Sequence, residues 1–370
     1  MRNLTLFFEL EKLPKIIKND EFYKAELEKS FMNFKELVKN SKEYSHCYPK
    51  ISKICDIILN ALGYELNGMN MNALLEIQKL FDKNEFGNYL SIIKLKSSNN
   101  KILYRGREGR HIEDAYEMLH IPFNKRHNVP TSRYGIYGYP CLYISTSVYG
   151  CWLEINKPKL EDFFISRFEL KEDLVVLNLA NKGKCKTKED REKYLYTWPL
   201  ICASSIVVKE EERLFKSEYI IPQLLVQCIR SVQYDNKNAI KVDGIRYFSN
   251  KISYNEIITP EPLYINYIIM TDISNNVIIN NNEYSNKIID SFDLTIPVNA
   301  ARLRNINSLG LSSLRKRAEN LNVKLPSIKE DLARRRAGIE IAKNTYIEYE
   351  NSEFYYIEEC LCSIPAQTQK

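Results

Sequence analysis

Two arginines, a tyrosine, a glutamate and a serine, set along the middle of the chain, are the residues whose types could do chemistry together: Arg105, Arg133, Tyr143, Glu154 and Ser249. The planar fork of arginine meets phosphate or carboxylate oxygens bidentately, so a pair of them points to a small anionic ligand. Tyr143 offers a ring to stack and a hydroxyl to bond. Glu154 offers a negative charge that can face a developing cation, and Ser249 a further hydroxyl. Singly these residues mean little. A glutamate on a helix is usually solvated, an arginine before glycine usually sits at the surface or in an ion pair, and a tyrosine in an apolar strand is usually core. Ser249 has no histidine at a readable spacing and does not read as a nucleophile.

Each residue lies in a short segment suited to hold it. Arg105 is in Leu103-Tyr104-Arg105-Gly106-Arg107. Arg133 opens the loop Arg133-Tyr134-Gly135-Ile136-Tyr137-Gly138-Tyr139-Pro140, which runs into the strand-like Cys141 to Ser145. Glu154 falls in a helical stretch, Val148 to Lys157, at the rim of an apolar stripe of Val148, Cys151, Trp152 and Ile155. Ser249 closes Asp243-Gly244-Ile245-Arg246-Tyr247-Phe248-Ser249. Tyr143 follows Arg133 by ten positions, and Glu154 follows Tyr143 by eleven. In this order, and with Tyr219-Ile220-Ile221-Pro222-Gln223 further on, residues 100 to 300 resemble the RES domain, a family related to ADP-ribosyltransferases whose members consume NAD. One position departs from the family: Gly135 follows Arg133-Tyr134 where asparagine is usual.

The resemblance implies an α+β fold, an ADP-ribosyltransferase-like split β-sheet with flanking helices. It implies a toxin-like enzyme that cleaves the nicotinamide–ribose bond of NAD by hydrolysis or phosphorolysis, in toxin–antitoxin or anti-phage defence, with NAD as substrate and no metal. On this reading Arg105, Arg133, Tyr143 and Ser249 bind NAD, and Glu154, Tyr143 and Arg133 act in catalysis. An antitoxin or other inhibitor protein would be its restraint, and homo-oligomerisation is a further expectation. Two alternatives stand beside it: transfer of ADP-ribose to a protein, and nucleic-acid binding through an arginine-rich region near the end.

Composition bounds these readings. With 370 residues the chain has room for two or three units. A net charge of +6, with lysine and glutamate interleaved, gives no basic stripe and argues against nucleic acid as the main partner. Nine cysteines without a CxxC pair read as reduced thiols, and His46, His111, His120 and His127, with no fixed pairing by Cys or Asp, read as loop residues and not as metal ligands. Leu4 to Phe8 is too short for a signal peptide, and no run reaches the ~20 residues needed to span a bilayer, so a cytoplasmic protein is expected.

The elements that must position the five residues are legible as periodicities. Residues 1–95 read as a helical N-terminal domain for oligomerisation or regulation: Leu27, Phe31, Phe34 and Val38 recur at helical spacing, as do Ile51, Ile54, Cys55, Ile58 and Leu62 before a candidate cap at Gly63, and then Leu74, Ile77 and Phe81. Residues 96–300 alternate short strands (102–104, 141–145, 163–170, 174–179, 244–249) with helices (148–157, 188–196, 217–232). Residues 301–370 read as a basic helical extension, with Arg302, Arg304, Arg315, Lys316, Arg317, Arg334, Arg335 and Arg336, before an acidic, tyrosine-rich end.

Overall fold

Apolar residues three and four apart drive the first helices. Leu27, Phe31, Phe34 and Val38 line one side of α1 (Tyr23–Lys39), and Ile51, Ile54, Cys55, Ile58 and Leu62 one side of α2 (Tyr48–Leu66); all are buried. Gly63 lies inside α2 and does not end it. The helix closes at Asn67, and Gly68, at φ 73°, takes the left-handed turn that a side chain resists. The short α3 (Asn70–Lys79) follows and buries Ala73 and Ile77.

The computed structural model describes residues 10, 13–16, 23–99, 101–180, 187–207, 213–235, 238–252, 263–272, 283–306, 316, 335–342 and 345–368. Arg315, Arg317 and Arg334 of the expected basic extension lie outside them, as does Cys185. The strands run β1 (Lys15–Ile16), β2 (Ile92–Leu95), β3 (Ile102–Glu108), β4 (Cys141–Ser145), β5 (Phe163–Leu170), β6 (Leu174–Asn178), β7 (Ile206–Val207), β8 (Gly244–Phe248), β9 (Ile265–Met270), β10 (Phe292–Leu294), β11 (Val298–Asn299), β12 (Gly338–Ala342), β13 (Thr345–Glu348) and β14 (Gln367–Thr368). Between them come α4 (Val148–Glu154), α5 (Lys188–Ser204), α6 (Ile220–Asp235), α7 (Asn286–Ser291), α8 (Ala300–Arg304) and α9 (Glu353–Cys362). The architecture is α+β. Among the described residues no helix is long and apolar enough to cross a membrane.

By packing, the chain divides into two units. One unit gathers Met1–Ile93, Val129–Tyr139 and Val175–Asn250; the other gathers Lys94–Asn128, Pro140–Leu174 and Lys251–Lys370. In the first, the N-terminal helices pack on one another, α1 on α2 and α2 on α3, but do not stop there. They pack on α5 and α6: Phe34 stacks at 4.1 Å on Trp198, the Tyr23 hydroxyl donates to the Ala203 carbonyl at 2.7 Å, and Gln78 donates to Ser231 at 2.9 Å. The physical reason is α5 itself, which is buried without interruption from Tyr194 to Ser204 and needs cover on every side. Beside it β6 and β8 pair in parallel, Val176 to Gly244 through Asn178 to Arg246.

The second unit is built on antiparallel strands in the order β14-β10-β5-β3-β4-β9, with β11 on the far part of β5. β3 and β5 pair along their length, Ile102 to Glu169 through Glu108 to Phe163. β4 and β9 do likewise, Cys141 to Met270 through Ser145 to Asn266. β9 is buried at every residue, so it carries no alternation to announce a strand. β3 and β4 share one register position only, Tyr104 to Ser145. Past it the ladder between them stops.

Candidate active site

The five residues fall into two groups, one in each unit. Arg105, Tyr143 and Glu154 belong to the second unit, Arg133 and Ser249 to the first.

In the second unit α4 presents Glu154. Ser147 caps this helix, its hydroxyl accepting from the Gly150 amide at 2.8 Å. Gly150 has to be glycine: a Cβ there would stand 2.8 Å from the Leu263 carbonyl. A buried carboxylate from α9 fixes the first turn, since Glu358 Oε1 accepts from the Val148 amide at 2.8 Å and from the Tyr349 hydroxyl at 2.6 Å. The helix ends at Glu154, earlier than the expected Lys157, because Asn156 and Lys157 turn into the left-handed region at φ 64° and 58°. Glu154 is half-buried, and the Asn266 amide donates to its Oε1 at 2.6 Å. Asn266 therefore orients the carboxylate. It is the site residue that sequence reasoning missed, and its one signal is a lone amide within an apolar run.

Arg105 leaves β3 just where its ladder with β4 stops, and its Nη1 donates to the Tyr143 carbonyl at 2.8 Å. Register places Tyr104, Ser145, Tyr143 and Asn266 on one face, under Glu154, while alternation sends Arg105 and Arg107 to the other. Arg105 is tied to the Tyr143 carbonyl from the opposite face, while the Tyr143 side chain lies on the side of Asn266. Cys151, one turn before Glu154, donates its thiol to the Tyr104 carbonyl at 3.2 Å. Burial pushes that thiol pKa up; Arg105 and Glu154 pull it in opposite directions, so both charges reach this point.

Arg105 and Arg107 form a cationic pair that Glu117 and Tyr284, both near Arg107, offset only in part. Burial first, and then the charge of Arg107, holds the Arg105 guanidinium well below its ordinary pKa; burial likewise lowers Arg107. Arg107 Nη2 donates to the Leu119 carbonyl at 2.8 Å. Among the described residues the buried Nε of each arginine has no hydrogen-bond partner and Glu117 is the carboxylate whose charge reaches Arg107. Two half-buried cations side by side are of a kind that could hold an anion.

His120 lies against this pair. Its Nδ1 is 2.7 Å from the Ile121 carbonyl, and its Nε2 accepts from the Ser285 amide at 2.8 Å, which fixes a neutral ring. Burial, helped by Arg105 and Arg107, lowers its pKa from 6.5 to about 4. The unfolded chain therefore binds the extra proton between those values. Stability contributed by neutral His120 is complete above about pH 6.5 and falls as pH drops toward 4, by about 3 kcal/mol in all. His120→Gln, which still accepts from Ser285, is expected to flatten this dependence. Urea midpoints at pH 7 and 4.5 check it, and an unchanged slope in the variant would remove His120 as the cause.

In the first unit Arg133 is engaged with the backbone. Nη2 donates to the Phe248 carbonyl at 2.8 Å and Nη1 to the Ser204 carbonyl at 3.4 Å, and the guanidinium lies 4.6 Å from the Tyr247 ring. Arg133 and Ser249 are thereby brought together, since Arg133 grips the residue before Ser249. Ser249 is fully buried. The Gln223 amide donates to the Ser132 carbonyl at 2.9 Å and so ties the loop to α6.

Comparison with known proteins returns one relative of note. Over 168 residues the chain is 37% identical to a Bacillus subtilis (strain 168) protein named "Putative toxin YopC"; the aligned part is 41% of this chain and 37% of that protein. This chain thus spans well under two thirds of its relative's length. No family model matches the chain, and no solved structure matches it.

Proposed function

We propose that the chain is a toxin-like, NAD-cleaving enzyme with an ADP-ribosyltransferase-like site built around Glu154, Tyr143 and Arg105. The observation that carries this reading is the Arg105 guanidinium, largely removed from water beside Arg107 and tied to the strand that carries Tyr143. Similarity to a protein named as a toxin supports the toxin-like class. The diphosphate clamp is assigned to Arg105 with Arg107. Arg133, already engaged by carbonyls and rings, is assigned to holding the loop before β4 and the end of β8.

The chemistry asks little of the protein beyond charge and position. The bond from the anomeric carbon to the nicotinamide nitrogen breaks, and its electron pair leaves with a ring that was already cationic. No acid is needed to protonate the leaving group. The ribosyl centre becomes oxocarbenium-like, as in glycoside cleavage, and a negative carboxylate such as Glu154 stabilises it. Water then adds and loses one proton, giving nicotinamide, ADP-ribose and H⁺. Uncontrolled, this reaction would deplete a cell of NAD, so an inhibitor protein is part of the proposal.

Purified protein incubated with NAD, with and without phosphate and cell lysate, tests the reading by mass spectrometry. Free ADP-ribose marks hydrolysis, its phosphate ester phosphorolysis, and labelled protein transfer. Intact NAD in every arm would sink it. Arg105→Ala is expected to weaken NAD binding by about 10- to 150-fold, the loss of a charge-assisted contact, and Arg105→Lys to restore little of it. Calorimetry checks this, and parent-like affinity in Arg105→Ala would make the arginine structural.

A further inference from the structure

Two stretches far apart in sequence bring unlike donor atoms together in the first unit. The short turn Ser45–Cys47 supplies His46 and Cys47, and the second turn of α5 supplies Glu192. His46 Nε2 stands 3.1 Å from Glu192 Oε1 and 3.4 Å from Cys47 Sγ, and the three ligand atoms all lie within 4.8 Å of one another. Ordinary hydrogen bonding explains these approaches one at a time. Either Nε2 carries a proton and donates to the carboxylate, or it is bare and accepts from the thiol.

A cation bound by all three atoms explains both at once. Around a tetrahedral zinc, with Zn–S about 2.3 Å and Zn–N or Zn–O about 2.0–2.2 Å, neighbouring ligand atoms sit about 3.3–3.6 Å apart. The His46–Cys47 separation of 3.4 Å falls in that range, the His46–Glu192 separation of 3.1 Å is slightly shorter, and all three atoms lie within 4.8 Å, so a small adjustment of the side chains would close the set on one ion. We propose that His46, Cys47 and Glu192 form a binding site for one zinc-type divalent ion, with a fourth position left to water or an exogenous ligand. A soft thiolate, an imidazole and one carboxylate suit zinc and exclude magnesium or calcium, which take all-oxygen shells.

The surroundings fit that assignment. Cys47 is buried beside Tyr196, while His46 is exposed and Glu192 partly exposed, so the three donors converge where the interior meets solvent. Lys188 Nζ stands 3.8 Å from Glu192 Oε1, a solvated contact that an ion would displace. Binding would release the thiol proton and so strengthen as pH rises. The ion would fasten the turn between α1 and α2 to α5. This site is independent of the NAD reading.

Cobalt(II), titrated into the chelator-stripped full-length protein, is the probe. One equivalent is expected to bind with a near-ultraviolet thiolate-to-cobalt absorption, and zinc is expected to displace it. Cys47→Ser should abolish the band. His46→Gln, at an exposed residue whose loss spares the fold, should weaken binding at least tenfold, with circular dichroism confirming both variants folded. No band in the parent, or a band that survives unchanged in His46→Gln, would overturn the proposal.

Discussion

Glu154→Gln is expected to lower NAD turnover by about two to three orders of magnitude, the scale of losing one preorganised electrostatic stabiliser. Glutamine keeps the length of the side chain and an oxygen that can accept from Asn266, so the bond at 2.6 Å can persist and the end of α4 need not move. Only the charge is lost. NAD affinity should change little, because the arginine pair rather than the carboxylate is assigned to the diphosphate. The loss should therefore fall on kcat and not on KM. Asn266→Ala tests the same point from the other side: the charge stays while its orientation is lost, and a smaller fall is expected. Steady-state turnover with native-like circular dichroism checks both variants, and a Glu154→Gln rate within a few-fold of the parent would exclude the carboxylate from the site.

A chain beginning at Lys96 is expected not to fold its remaining α5 and α6 and to precipitate. Removing the first 95 residues uncovers Trp198 where Phe34 now stacks, and leaves the buried stretch from Tyr194 to Ser204 facing water. Each large apolar side chain so exposed costs about 1.5–3 kcal/mol. A few of them equal the whole stability of an ordinary domain, about 5–15 kcal/mol. Light scattering and a thermal melt decide the matter. A soluble, cooperatively unfolding product would show that the N-terminal helices are a separable module after all.

That module illustrates what the sequence could show and what it could not. The stripe Leu27, Phe31, Phe34, Val38 announces a helix with a buried face, because helical period is a local property. It does not name the partners of that face, and one of them, α5, lies more than a hundred residues on. Strands with Gly, Pro or charged borders, such as Cys141–Ser145, were legible for the same local reason. β9 was not, since a strand buried on both faces loses its alternation, and with it went Asn266. The candidate residues themselves followed from type and order, but the division of labour between them did not. That Arg107 joins Arg105 while Arg133 is engaged by carbonyls depends on burial and on the interrupted β3–β4 ladder. No spacing encodes either.

The interleaving of the two units also has a consequence for how the molecule is made. Neither unit is a continuous length of chain: α1 precedes α5, yet the last part of the surface that covers α1 arrives with Trp198. At about 5–20 residues per second, the apolar stripe on α1 emerges from the ribosome roughly 8–30 seconds before its cover is complete. During that time the nascent chain exposes Leu27, Phe31, Phe34 and Val38 to whatever else can bind them. The second unit waits longer still, because β9, which supplies Asn266, and α9, which supplies Glu358, come after residue 250. Glu154 emerges about a hundred residues before the amide that orients it, so a chain stalled between them carries the carboxylate without its support.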